Sequence, residues 1–295
     1  PNGYHGTRCT PTVDGDRVYT VSREGDFFCL STKDGKVLWS KDFKKDFNGK
    51  VPMWGYSGSP LIEKNLVLVE VGGLGTSVVA MTKDKGTLVW KNGNDPVGYS
   101  SLVAYDYNNQ RSLALFPKDA VVGRLMAGGK ELWRFSWKTS YGVNAATPIV
   151  KDDKVFISSG YNYGCALLQF SQSPPKVVWQ NKNMRNHVNS CVLWQNHLYG
   201  FDEGELKCLS WDTGEVKWGS KSYGKGSLTL ADGKLIIWSA NGKLAVAEAS
   251  PDAFKEISSA QILGGKDTWA APVLANGKIY CRSLESLVCL DVKGQ

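Results

Sequence analysis

Apolar and polar positions along this chain fall into short alternating runs separated by tight turns. Val18-Tyr19-Thr20-Val21, Leu66-Val67-Leu68-Val69, Val155-Phe156-Ile157 and Leu235-Ile236-Ile237 are apolar runs of strand length. Polar turns of hairpin type recur between runs, at Asp14-Gly15-Asp16, Asn108-Asn109, Asp152-Asp153, Asp232-Gly233 and Asn276-Gly277. A third kind of run carries a small or sulfur-bearing centre, as in Phe28-Cys29-Leu30 and Val79-Ala80-Met81. The fourth follows a turn and carries Trp: Asp34-Gly35-Lys36-Val37-Leu38-Trp39 returns as Lys85-Gly86-Thr87-Leu88-Val89-Trp90, Gly129-Lys130-Glu131-Leu132-Trp133, Pro175-Lys176-Val177-Val178-Trp179 and Thr213-Gly214-Glu215-Val216-Lys217-Trp218. Successive tryptophans are 51, 43, 46 and 39 residues apart. A period in the forties built only of strands predicts an all-β fold, a β-propeller of four-stranded antiparallel blades.

The first strand of each repeat begins with a small residue, often followed by Pro: Thr10-Pro11, Ser59-Pro60, Thr147-Pro148 and Ala271-Pro272, with Ser101, Cys191 and Ser227 in the same slot elsewhere. The repeats then span residues 9–45, 57–93, 100–137, 145–182, 190–221, 226–263 and 270–295 and read as a single domain. The sixth replaces its Trp strand with Phe254-Lys255-Glu256-Ile257, and the seventh stops after its third strand, at Asp291-Val292-Lys293. A ring of blades has to be closed, so the reading expects a strand or a blade supplied from upstream and seven or eight blades in the complete protein. No helix of note is expected.

Composition narrows the classes. The 295 residues are 42% hydrophobic and 21% charged, which is ordinary for a globular chain. No apolar run is long enough to cross a bilayer as a helix; no leader is visible at Pro1-Asn2-Gly3-Tyr4, and the reading expects residue 1 to be a start in mid-protein. The net charge of +7 is spread over the turns. The densest basic stretch, Lys41-Asp42-Phe43-Lys44-Lys45, is interrupted by acid, and a nucleic-acid partner is not expected. Seven Cys leave at least one unpaired. Cys29, Cys208 and Cys289 fill equivalent places in three repeats and Cys9 and Cys191 in two, so they read as small buried apolar residues. Cys281 and Cys289 lie on the two arms of one hairpin, where a disulfide is conceivable.

Several stretches resemble a known family: Gly3 to Gly15, Trp54-Gly55-Tyr56-Ser57-Gly58-Ser59-Pro60, Ser158-Ser159-Gly160-Tyr161, Asn183-Met184-Arg185-Asn186-His187 and Gly224-Lys225-Gly226-Ser227-Leu228. Together with the tryptophan-ended repeat they resemble the propeller repeats named for pyrroloquinoline quinone, in the group related to the outer-membrane assembly factor BamB. The resemblance covers the whole chain. It implies export, to a periplasm or an equivalent compartment, and more than one kind of function. One is a non-enzymatic scaffold that binds a protein or a small polar ligand. The other is a quinone-dependent dehydrogenase holding pyrroloquinoline quinone and calcium on the propeller axis.

The residues themselves favour the scaffold. An aromatic ring or a His precedes each first strand: Tyr4, Tyr56, Tyr99, Tyr141, His187, Tyr223 and Trp269. His5, Arg8, Trp54, Asn144, Arg185, Asn186, Asn189 and Lys225 accompany them. In a propeller these loops meet at one mouth of the central channel, and aromatic rings with a few polar groups in a concave place are the usual make-up of a binding site. The same tyrosines are equally suited to packing between blades, with the hydroxyl on a neighbouring backbone. Arg8, Arg185 and Lys225 could pair with a carboxylated quinone, and Trp54 or Trp269 could stack on it. There is, however, no adjacent Cys-Cys pair and no recognisable calcium set. The three His are His5, His187 and His197, without carboxylate or Cys at ligand spacing, so no metal site and no cofactor are expected. No Gly-x-Ser-x-Gly elbow occurs, and Gly72-Gly73-Leu74-Gly75 lacks the Lys and helix of a phosphate loop.

Overall fold

The computed structural model describes residues 6–264 and 268–293. Among the described residues the fold is an all-β propeller of seven blades. Six are four-stranded sheets in plain sequence order, and the last has three described strands. Each blade falls inside one of the expected repeats. The chain also divides into two compact units, Pro1–Lys154 with Phe170–Lys176, and Val155–Gln169 with Val177–Gln295.

In the first unit, β1 (Thr12–Asp14), β2 (Arg17–Val21), β3 (Asp26–Ser31) and β4 (Val37–Asp42) form the first sheet. A single helical turn follows, α1 (Phe43–Phe47), capped by the Asp42 carboxylate and burying Phe43 and Phe47. The second sheet is β5 (Leu61–Glu63), β6 (Leu66–Glu70), β7 (Val78–Thr82) and β8 (Leu88–Asn92). The third is β9 (Val103–Tyr107), β10 (Gln110–Leu115), β11 (Ala120–Leu125) and β12 (Glu131–Ser136). β6 explains why the middle strands read as unbroken apolar runs. Its side chains alternate between two neighbours. Val67 and Val69 pack with Val79, Met81, Tyr19 and Phe27, while Leu68 packs with Val78, Ala80, Leu113 and Leu115.

The fourth sheet is β13 (Ile149–Lys151), β14 (Lys154–Ser159), β15 (Gly164–Gln169) and β16 (Lys176–Asn181). In the second unit β17 (Val192–Trp194), β18 (His197–Asp202), β19 (Glu205–Ser210) and β20 (Val216–Ser220) form the fifth, and β21 (Gly226–Ala231), β22 (Lys234–Ser239), β23 (Lys243–Glu248) and β24 (Glu256–Gln261) the sixth. β25 (Val273–Ala275), β26 (Lys278–Arg282) and β27 (Leu287–Asp291) form the seventh. The alternation recurs here. Leu235 and Ile237 face the Tyr199–Cys208 cluster, and Ile236 and Trp238 face Ile279 and Cys281.

The tryptophans do not end their strands; each lies inside the outer strand, which runs on beyond it. Trp39 stands opposite Cys29, Trp90 opposite Ala80 and Trp218 opposite Cys208, each next to a bulge. Their indoles reach into the following blade: Trp39 Nε1 donates to Lys83 O at 3.2 Å, Trp179 to Trp211 O at 2.8 Å and Trp218 to Ser250 O at 2.8 Å. Trp133 departs from this pattern. Gly123 faces it, and a Cβ there would lie 2.1 Å from the indole, so the ring lies down on its own sheet. Its Nε1 donates to Tyr105 Oη at 3.0 Å, and the ring stacks on Phe170.

The small-residue slot has a chemical reason beyond size. In the first unit Thr10 N–H donates to Ser59 Oγ, Ser59 N–H to Ser101 Oγ, and Ser101 N–H to Thr147 Oγ1, at 3.2, 3.0 and 3.5 Å. Hydroxyls thus pair the backbone donors that open the first strands, where a buried N–H without an acceptor would be costly.

Two expectations about cysteine need correction. Val288, not Cys289, stands opposite Cys281, and Cys289 stands opposite Tyr280. One residue of offset turns the two thiols to opposite faces of the hairpin, so no disulfide joins them and both are free. Cys289 is exposed rather than buried, because no described strand covers that side of β27. The other six cysteines, Cys9, Cys29, Cys165, Cys191, Cys208 and Cys281, are buried.

Candidate functional site

Two loop clusters collect the residues singled out by sequence, one in each unit. In an up-and-down four-stranded sheet, the connection to the next sheet leaves from the same end as the turn between the second and third strands. Each cluster is built from both kinds of segment.

In the first unit, the stretch leading to β5 folds into a turn. Gly55 N–H donates to Pro52 O at 2.8 Å, which places Met53 and Trp54 at its tip. The turn is held from three sides. Tyr56 N–H donates to Arg23 O at 3.0 Å, Trp54 N–H to Tyr99 Oη at 3.4 Å, and the Arg8 guanidinium to Trp54 O. Gly55 takes φ +81°, and a Cβ there would strike Arg23 Cγ at 2.1 Å, so the Arg23 stem lies directly over the turn. Met53 and Trp54 are 73% and 42% exposed. Burial, then repulsion from Arg23, lowers the pKa of Arg8.

Two other expected residues of this unit, Tyr56 and Asn144, serve the fold. Tyr56 is buried, edge-on to Phe43, and its hydroxyl donates to Val71 O at 3.0 Å. Burial pushes its pKa above the normal tyrosine range. Asn144 is buried too, and its Nδ2 donates to Pro117 O at 2.7 Å and Lys118 O at 3.1 Å. Its carbonyl accepts from Tyr99 N–H at 3.0 Å. Tyr141 is 64% exposed. Asp95 binds Arg124 and Arg134, both at 2.8 Å.

In the second unit, the stretch Asn183–His187 is mostly committed to its own surroundings. Asp202 at the end of β18 is 2% exposed and accepts Arg185 Nε at 2.6 Å, Arg185 Nη2 at 2.9 Å and Arg185 N–H at 2.9 Å, with Lys207 Nζ completing its shell. Burial pushes the Asp202 carboxyl up, but hydrogen bonds and charge from Arg185 and Lys207 prevail and lower its pKa. Asn186 is buried, its side chain donating to Phe201 O at 3.0 Å and accepting from Cys191 Sγ at 3.0 Å, and its backbone N–H donating to Ser158 Oγ at 2.9 Å. Tyr223 is also buried, with its hydroxyl on Glu256 and Lys243 Nζ 4.9 Å above its ring.

His187, Lys225 and Trp269 do come together. With Asn189, Glu203 and Thr268 they line a hollow of about 20 Å³. Lys225 Nζ lies 3.9 Å from Glu203. Desolvation first, and the Lys225 charge second, lower the pKa of His187, which favours the neutral ring. Tyr161 meets it edge-on at 4.6 Å. Tyr4 and His5 lie outside the described residues.

Arg23, Met53, Tyr161 and Glu203 were missed. Arg23, Tyr161 and Glu203 sit in turns between second and third strands, and the up-and-down order of the sheets was the signal that could have found them. Among the described residues no group of three or more His, Cys, Asp or Glu is placed to hold a metal ion, and no helix is long and apolar enough to cross a membrane.

The sequence model of the family described as outer membrane protein assembly factor BamB matches residues 3–220. The chain belongs to this family. Among solved structures, BamB from Moraxella catarrhalis is similar with a TM-score of 0.68 at 16% identity, over 94% of this chain and 79% of that one. The computationally designed Ika8 protein gives 0.61 at 13% identity, over 96% and 95%. Quinohemoprotein alcohol dehydrogenase from Comamonas testosteroni gives 0.56 at 11% identity, over 93% and 70%. At such identities the likeness is one of fold. No curated protein matches the chain in sequence. The two clusters bring together Trp54 with Arg8 and Arg23 in one unit, and His187, Lys225 and Trp269 in the other.

Proposed function

We propose that this chain is a non-enzymatic binding scaffold of the BamB family that engages polypeptide through the loops joining its blades. The observation that carries the reading is the size of the hollow at His187, Lys225 and Trp269. About 20 Å³ accepts a water or the tip of a side chain, whereas enclosing sites for small molecules run to about 300 Å³ or more. A rim of one exposed tryptophan, a cation and a neutral imidazole around so shallow a hollow suits a protein segment laid across it. The same facts weigh against pyrroloquinoline quinone. Arg185, which was to pair with a carboxylated quinone, is held by Asp202, and Lys225 lies beside Glu203. These residues do not fit the cofactor, and no step is derived through it. Export to a periplasm or its equivalent belongs to the same reading.

The test is a photo-cross-linker. Benzoylphenylalanine in place of Trp269, in the native cell, is expected to trap a polypeptide, and Lys225→Ala with His187→Ala to reduce the yield. A melting shift with quinone and calcium, or with a sugar, and no trapped polypeptide would overturn the reading.

A further inference from the structure

The turn at Met53 and Trp54 carries a more specific inference, which rests on the scaffold reading. We propose that the Pro52–Gly55 turn, flanked by Arg8 and Arg23, docks an acidic peptide segment that offers carboxylates on either side of an apolar side chain.

The first support is presentation. Large apolar residues at a protein surface are ordinary when scattered. Here two are adjacent at the tip of one turn, and Val51 just before them is exposed as well. The turn is pinned by its own Pro52–Gly55 hydrogen bond and by bonds to three other segments, through Arg8, Arg23 and Tyr99. A rigid aromatic anchor loses little conformational freedom on binding.

The second support is charge. Among the described residues neither Arg8 nor Arg23 makes an ion pair. The two are close enough for Arg23 to destabilise the Arg8 cation. Elsewhere in this chain buried or half-buried arginines are answered by carboxylates: Arg111 by Glu63 and Asp106, Arg124 by Asp95, Arg185 by Asp202. At the turn the Arg8 guanidinium lies on Trp54 O and the Arg23 stem over Gly55, neither paired with a carboxylate among the described residues, and Lys50 adds an exposed cation beside Val51. A carboxylate arriving there relieves repulsion and meets the forked donors that guanidinium presents. Tryptophan with arginine is also the residue pair most enriched where interfaces concentrate their energy. An acidic segment with an apolar anchor matches both features, because it brings the opposite charge and a side chain to lie against Trp54 and Met53. An anionic membrane would supply charge but is less suited to a single turn with two apolar side chains.

The probe is a short synthetic peptide in which glutamates flank a phenylalanine, titrated into the whole chain while Trp54 fluorescence or its indole resonance is followed. Its counterpart with lysines for glutamates is expected to bind at least about tenfold more weakly, and added salt to weaken the acidic peptide. Arg8→Ala with Arg23→Ala is expected to cost about tenfold or more in affinity with the melting temperature kept, and Lys225→Ala to leave it unchanged. Equal binding of the two peptides by the wild-type chain overturns the inference without any variant. So does affinity kept in the double variant, or binding to anionic phosphatidylglycerol vesicles with none to the peptide. Loss on Lys225→Ala alone also overturns it, while leaving the scaffold reading intact at the other cluster. A polypeptide trapped at position 269 with no peptide binding at the turn separates the two claims in the same way.

Discussion

Arg185 and Arg8 both lie on stretches that lead into a first strand, and the molecule uses them in opposite ways. Arg185 finds the buried carboxylate of Asp202 in the sheet its stretch leads into and locks onto it through Nε, Nη2 and its backbone N–H. Arg8 finds a backbone carbonyl and a second arginine. The first is a fastening of the fold, and the second is a charge left for something else. Tyr56 and Trp54 differ in the same sense two residues apart: one ring is buried with its hydroxyl on Val71 O, the other exposed at the tip of a turn. Residue type and loop position do not decide function here; whether the fold already supplies a partner does.

Removing the carboxylate that Arg185 holds tests the fastened side hardest. Asp202→Ala strands Arg185 and leaves Lys207 with only Glu205, 3.5 Å away, and equilibrium urea unfolding is expected to show a loss of about 4 kcal/mol. A loss under about 1 kcal/mol would mean that the pair is not structural.

Glu70 sharpens the comparison, because it is buried like Asp202 but its Oε1 has no partner. Burial, then the Asp95 charge, pushes its pKa up to about 8, against a smaller opposing effect of Arg124. The folded chain therefore holds a proton that the unfolded chain, with an ordinary glutamate near pKa 4.3, releases. Stability from this group is full below about pH 4 and falls as pH rises toward 8 and through it, by roughly 1 kcal/mol per unit. Glu70→Gln is expected to flatten that decline in unfolding curves taken from pH 5 to pH 8. An unchanged slope would place the titration elsewhere.

Asn186→Ala leaves Phe201 O and Cys191 Sγ without their partner, and a loss of about 2 kcal/mol is expected in the same assay. At the other extreme, Trp54→Ala should change stability by no more than about 0.5 kcal/mol while removing binding of the acidic peptide. A folding defect in that variant would return Trp54 to the fastened class.

The architecture was legible because hydrophobic alternation, hairpin turns and the tryptophan repeat each have one physical cause wherever they occur. The order of strands and the buried sulfur positions at Cys29 and Cys208 followed from them. The site was legible only as a set of loops. Spacing ahead of the first strand does not say whether a ring turns inward, as Tyr56 and Tyr223 do, or outward, as Trp54 and Tyr141 do. Nor could it show that Asp202, from a strand end, answers Arg185, or that Arg23 and Glu203 join the loops from neighbouring turns. Cys289 was misread because its equivalents are covered by an outer strand that the seventh sheet lacks among the described residues.

The most direct test of the difference between fastened and presented residues is to unfold Arg185→Ala and Arg8→Ala side by side in urea. Arg185→Ala is expected to lose about 3 kcal/mol, since it uncovers a buried carboxylate. Arg8→Ala is expected to stay within about 0.5 kcal/mol of the parent chain. Equal losses, or a larger loss for Arg8→Ala, would contradict the account.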